Sequence, residues 1–270
     1  MIIGLDHIVI AVRDIDAGVG AHEHLLGRAP APIEAGSGVA TSVIATDNVA
    51  VEIMAPAGEG EGADRVRAAI DQGGEGLKSL AFAVVDIERT HRRAARVGLE
   101  PEAIKEGAGQ TVWRSFRANT KCTRGVRVFF VERAAPLAHS PTRGGAVSGL
   151  DHVVIRTSEP DHAAALYGAR LGLDMRLDRE VGGRRLMFFR VGDAIVEIAH
   201  DALRAKGEDL LWGLSWRVEN ADAARARLAE GGLNVSEVRA GLKPGTRVFT
   251  VRDGTCGAPT LMIEALPKRD

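Results

Sequence analysis

A chain of 270 residues with 45% hydrophobic and 26% charged side chains can bury a proper core, which excludes a disordered tail and a membrane-embedded chain. The net charge is −1 with no long run of either sign, and only 4% of residues are aromatic, so nucleic acid is an unsuitable partner. Length alone leaves one large domain or two small ones open.

The opening residues, Met1 to His7, lack the basic flank and apolar core of a signal peptide. No stretch approaches the roughly 20 apolar residues of a membrane helix, so a cytoplasmic location is expected. Two cysteines, Cys122 and Cys256, are too few for a disulfide scaffold and are expected as free thiols.

In chain order, the first predicted strand is Leu5-Asp6-His7-Ile8-Val9-Ile10. It recurs as Leu150-Asp151-His152-Val153-Val154-Ile155, an offset of 145 (150 minus 5). Glu52, within Val49-Ala50-Val51-Glu52-Ile53, and Glu197, within Ala194-Ile195-Val196-Glu197-Ile198, keep the same offset. Each half therefore holds a His and a Glu 45 residues apart (52 minus 7 and 197 minus 152).

A short polar stop follows four apolar runs, at Arg13-Asp14, Val85-Asp86, Ser158-Glu159 and Glu219-Asn220, and each reaches a glycine about twelve residues later. Gly27, Gly98, Gly172 and Gly232 close these segments, which predicts helices over 15–26, 87–97, 160–171 and 221–231. Runs of strand length lie at Val39–Ile44, Val49–Met54, Arg127–Glu132, Arg185–Arg190, Ala194–Ala199, Arg247–Val251 and Thr260–Leu266. The acidic, Gly-rich run Gly58 to Gly62 is expected as an exposed loop. Its carboxylates would repel a phosphate.

One unit thus reads strand, helix, then about three strands, and four such βαβββ units fill the chain. The expected division is 1–133 (units 1–72 and 73–133), a linker at 134–149, and 150–270 (units 150–205 and 206–270). The Leu-Asp-His openings, the apolar-Glu-apolar strands and Leu171-Gly172-Leu173 after Tyr167 resemble the vicinal oxygen chelate superfamily of glyoxalase, bleomycin-resistance and extradiol-dioxygenase proteins. That resemblance implies an α+β fold: two glyoxalase-like incomplete β-barrel domains with helices outside.

It also implies a divalent metal, Fe, Mn, Ni, Co or Zn, held by residues of the first and last strands of paired units. Carried over by position, the ligand set is His7, Glu52 and Glu132 in the first half, and His152, Glu197 and Glu264 in the second, with Glu197 and Glu264 as candidate catalytic bases. Ser79 and Gly213 stand where metal-dependent relatives carry a second His, and neither replaces an imidazole. Pairing of the first unit with the fourth and the second with the third stays open.

A structural role competes at each position. His7 and His152 suit backbone bonding at a strand start, and Glu132 and Glu264 suit the sheet rim or an ion pair with Arg133 or another Arg. His22 and His24 are two apart on a helix and are expected at the surface. His91, His139 and His162 are expected to be solvated, and His200 to lie at an edge. Trp212 and Trp216 are expected to pack against helices. Lys243 and Arg247 offer a weak clamp for an anionic substrate.

The leading expectation is a metal-dependent small-molecule enzyme of the glyoxalase or dioxygenase type. The missing second His favours lyase or isomerase chemistry over O2 activation. A non-catalytic sequestering protein of the bleomycin-resistance type is the alternative. A third reading keeps a site in one half alone, with the second half favoured. The expected partner is a small molecule, with neither nucleic acid nor membrane and with homodimer formation left open.

Overall fold

The four polar stops act as helix starts. In the first, Asp14 accepts from the Ala17 amide at the head of α1 (Ile15–Leu26). Asp86 does the same from Arg89 at α3 (Ile87–Arg96), and Asn220 from Ala223 at α5 (Ala221–Glu230). Each satisfies one of the amides that a helix start leaves without an internal partner. Glu159 differs, because its carboxylate is taken by Arg124 and the Gly207 amide. Pro160 opens that helix instead, in α4 (Pro160–Ala164), which continues as a π-helical stretch over Ala165–Arg170. The four closing glycines all take positive φ, 66° at Gly27, 73° at Gly98, 78° at Gly172 and 90° at Gly232, a region other residues enter only with strain.

The computed structural model describes residues 1–107 and 111–265. Within them the first repeat is β1 (Ile2–Ala11), α1, β2 (Glu34–Gly36), β3 (Val39–Ala45) and β4 (Ala50–Pro56). The second is β5 (Gly76–Val84), α3, β6 (Lys105–Gly107), β7 (Trp113–Arg117) and β8 (Arg127–Arg133). The third is β9 (Val147–Thr157), α4, β10 (Asp174–Val181), β11 (Arg184–Val191) and β12 (Ala194–His200). The fourth is β13 (Leu210–Val218), α5, β14 (Arg239–Ala240), β15 (Thr246–Val251) and β16 (Thr260–Ala265). Leu266, expected as the end of the last strand, lies outside the described residues.

The strands form two eight-stranded mixed sheets, ordered β2-β3-β4-β1-β5-β8-β7-β6 and β10-β11-β12-β9-β13-β16-β15-β14. The α+β class and the four βαβββ repeats expected from the sequence are both present.

One element was not expected. Helix α2 (Glu61–Gly73) begins inside the run read as a loop. Its glycines serve close packing: a Cβ at Gly62 would lie 2.0 Å from the Ser37 carbonyl oxygen. Ala63, Val66 and Ile70, spaced three and four apart, form its buried face.

Two compact bodies emerge from the contacts. The first comprises Met1–Ile8, Lys78–Leu137 and His152–Trp212. Its core includes Phe116 stacked on Phe130 at 4.7 Å, Phe82 tilted against Phe130, and the fully buried Tyr167 beside Phe189. Here α3 and the α4 segment close each other's ends. Arg170 donates to the carbonyls of Val97, Gly98 and Cys122, and Arg93 donates to those of Ala169 and Arg170. A guanidinium at a helix C-terminus satisfies orphan carbonyls and opposes the negative end of the dipole.

The second body comprises Val9–Leu77, Ala138–Asp151 and the described residues from Gly213 onward. Its core holds Ile10, Leu25, Leu26, Ile44, Ile53, Ile70, Trp216 and Phe249, each almost fully buried. Arg227 of α5 donates to the carbonyls of His24 and Leu25 at the end of α1. Buried Arg28 donates to the carbonyls of Val147 and Ser148 and to Asp47, which ties the 138–151 segment to the β3–β4 turn.

Candidate functional site

β12 and β9 run parallel, with His152 level with Ile195 and Val154 level with Glu197. Residues level across a ladder point to the same face, and so do residues two apart on one strand. His152 and Glu197 therefore share a face, one step offset. Their side chains meet with His152 Nε2 3.4 Å from Glu197 Oε2 and 17% and 15% of their side-chain surfaces exposed. The opposite face of β12 carries Ala194, Val196 and Ile198, all buried, so the core lies there and the His–Glu pair lies on the open side. Phe188 of β11 is level with Glu197 and Leu186 with Ala199, which sets an apolar surface beside the carboxylate. Arg156, two residues beyond Val154 on the same face, holds its guanidinium 4.0 Å from the Trp212 ring.

The first half is built differently. His7 Nδ1 lies 2.6 Å from Asp6 Oδ1, and Arg133 donates to both Asp6 oxygens at 2.7 Å. Burial raises the Asp6 pKa, but the hydrogen bonds from His7 and Arg133 outweigh it and hold the carboxyl below its usual range. Glu52 is level with Val43 on β3, and Met54 with Thr41. That face is covered: Val66 and Ile70 of α2 pack with Ala11, Val39 and Met54. Between β12 and β13 the corresponding link, residues 201–209, contains no helix.

Glu132 and Glu264 serve helix starts. Glu132 accepts from the Ile87 amide at 2.9 Å, and Glu264 from the Ala221 amide at 2.8 Å. Parity explains both. Glu132 falls on the side of buried Val128 and Phe130, and Glu264 on the side of buried Met262. Arg247 pairs with Asp222 at 2.7 Å and Glu264 at 3.3 Å, so its guanidinium is committed to α5 rather than free to clamp a substrate. Lys243 is exposed in the preceding turn. Ser79 is buried. At Gly213 an added Cβ would lie 2.9 Å from the Pro259 carbonyl oxygen, which leaves no room for a side chain.

Among the described residues, no three His, Cys, Asp or Glu side chains converge on a point suited to a metal ion. A catalytic metal normally keeps about three protein ligands, so one imidazole and one carboxylate do not fit that role here.

The other histidines divide. His22 is 2% exposed, with Nδ1 2.9 Å from the Gly18 carbonyl oxygen, so the expected surface position is corrected. Its burial fits the close approach of α1 to Val12 and Ile53 that Gly18, one turn earlier, allows. His24 is also partly buried, with its ring against Gly231. His91 bonds the Glu102 carbonyl at 2.9 Å and meets Phe116 edge-on, whereas His139 and His162 are exposed as expected. Trp216 is fully buried, Trp212 only partly. Both cysteines are free.

Sequence reading missed Arg124, which is held between Asp209 at 3.1 Å and Glu159 at 3.0 Å. Burial, partly opposed by Arg124 and Thr157, pushes the Asp209 pKa up. The isolated charges carried no spacing signal.

Four repeated βαβββ units in two eight-stranded mixed sheets define a class of duplicated α+β proteins. A family model for the glyoxalase-like domain matches residues 5–172, and one for the glyoxalase/bleomycin resistance protein/dioxygenase superfamily matches 149–257. The chain belongs to this glyoxalase-like family. No curated protein sequence matches it.

Among solved structures it is similar to a triple mutant of 4-hydroxymandelate synthase from Streptomyces coelicolor, with a TM-score of 0.75 and 14% identity over 100% of this chain and 95% of that one. A Mn(II)-bound glyoxalase from Novosphingobium aromaticivorans gives 0.71 and 14% over 100% and 84%. A halotolerant catechol dioxygenase gives 0.69 and 12% over 100% and 89%. At these identities the likeness establishes the fold. No helix of the described residues is long and apolar enough to cross a membrane.

Proposed function

We propose that this chain is a small-molecule enzyme of the glyoxalase type, with isomerase or lyase chemistry carried out by proton transfer at the His152–Glu197 pair. The observation that carries this reading is the 3.4 Å approach of His152 Nε2 to Glu197 Oε2 on the open face of the second sheet. A carboxylate beside apolar Phe188 and Val154 is placed to take a proton from carbon next to a carbonyl. The electron pair moves to the carbonyl oxygen, and the imidazole N–H donates a hydrogen bond to that oxygen as charge develops. Glu197 then returns the proton to the same or the neighbouring carbon, so no external acid or oxidant is needed. The substrate fitting this face is a compact oxygenated carbonyl compound with an apolar side.

No step is routed through a metal, because two donors do not complete a site. The first half has its Glu52 face covered by α2 and acts in this reading as a packing partner. Exposed Leu177, level with Phe188, extends the apolar surface and supports sequestration of an apolar ligand as the second reading.

The test is solvent-deuterium exchange, followed by NMR, across 2-oxo acids and 2-hydroxy carbonyl compounds with chelator-treated protein. Exchange should fall at least about 100-fold in Glu197→Gln and in His152→Ala, while the thermal transition stays in place. Exchange lost on chelation and restored by Mn(II) would overturn the metal-free proposal. Saturable binding with no exchange, unchanged by both substitutions, would replace it with sequestration.

A further inference from the structure

The sequence of α3 is Ile-Glu-Arg-Thr-His-Arg-Arg-Ala-Ala-Arg, and Ile87, Thr90 and Ala94 form its buried stripe. Arg89, Arg92 and Arg96, spaced three and four apart, therefore share the opposite stripe, and all three are exposed. Together with His91 and Ala95 they line a shallow cavity of about 410 Å³.

Nearby acids do not neutralise them. Glu88 pairs with Arg114, Glu106 also pairs with Arg114, and Glu102 pairs with Arg117. Asp86 caps the helix. The fourth arginine of the helix, Arg93, is turned toward the carbonyls of Ala169 and Arg170. None of the three guanidiniums forms an ion pair with another described residue. Like charges at these spacings destabilise a helix, and here they sit on a chain whose overall charge is near zero.

We infer that this face of α3 is a binding site for a small polyphosphate-bearing molecule, with Arg89, Arg92 and Arg96 as its clamp. Three guanidiniums present planar forks that match phosphate oxygens. The stripe spans eight residues, Arg89 to Arg96, about 10 Å along the helix, which suits two or three linked phosphates and is too short to follow a polymer. Neutralising the stripe also removes the repulsion within it. The site is separate from the His152–Glu197 face and does not depend on the reaction assigned there.

Titration calorimetry of the full chain with inorganic pyrophosphate and with ADP, at low and moderate NaCl, tests this. The expected result is one saturable site, weakened by salt and at least tenfold weaker in Arg89→Gln/Arg92→Gln/Arg96→Gln, whose melting temperature should equal or exceed the parent's. Equal affinity for the two probes assigns recognition to the phosphates alone, and tighter ADP binding assigns it to an organic diphosphate; both support the site. Arg179→Gln/Arg184→Gln, which removes two exposed arginines of the β10–β11 hairpin, should leave binding unchanged. Unaltered affinity in the triple variant, equal loss in the hairpin variant, or preference for a hexaglutamate peptide over pyrophosphate would overturn the proposal.

Discussion

His22 shows how one buried titratable group couples pH to folding. Burial pushes its pKa down, and the bond to the Gly18 carbonyl only partly opposes this. A histidine with a lowered folded value contributes stability that is full above its unfolded pKa of about 6.5 and is lost as pH falls through the lower folded value. His22→Gln should therefore flatten the loss of stability measured by urea unfolding as pH falls below about 6.5. Asp6, also lowered, acts in the same direction in a more acidic window, so the two effects separate along a pH series. Tyr167 makes a different case. Its buried hydroxyl has no hydrogen-bond partner among the described residues, so Tyr167→Phe should be neutral or stabilise by up to about 1 kcal/mol. Arg28, 3% exposed, is the reverse: truncation to Ala strands the carbonyls of Val147 and Ser148 and should lower unfolding free energy by about 3 kcal/mol.

At the scale of elements, Glu132 and Glu264 act as remote caps, each reaching from a sheet to the first amide of a helix. Glu132→Ala should cost about 1 kcal/mol in equilibrium unfolding and leave deuterium exchange at the second-half site unchanged. The four repeat helices were legible because Asp14, Asp86 and Asn220 mark their starts and positive-φ glycines their ends. Helix α2 was not, since Gly60 and Gly62 mimic a loop and the need for Gly62 exists only once Ser37 is packed against it. The His152–Glu197 pair was legible through the repeat itself. The orientation of Glu132 and Glu264 was not: Val128, Phe129, Phe130 and Val131 are apolar on both sides of the strand, as are Leu261, Met262 and Ile263, so no contrast tells which side the helix covers.

For the whole molecule, each compact body takes segments from both halves of the chain. Fragments 1–133 and 150–270, expressed separately, should each show enhanced binding of a hydrophobic dye and a broadened thermal transition, with recovery on mixing. Elemental analysis of the intact chain, purified without chelator, should find less than one divalent metal per chain. Stoichiometric metal lost in His152→Ala would contradict this.

The discontinuity of the bodies also orders events in time. The first body has all its segments once synthesis passes Trp212, whereas the second must wait for α5 and the closing strands. Arg227 reaches back to His24 over a separation of 203, so the carbonyls of His24 and Leu25 gain this partner only late, although Gly27 closes α1 locally. On a ribosome adding about 5–20 residues per second, the last carbonyls of α1 wait roughly 10–40 s for Arg227. That interval, rather than the finished protein, is where aggregation and chaperone capture would act.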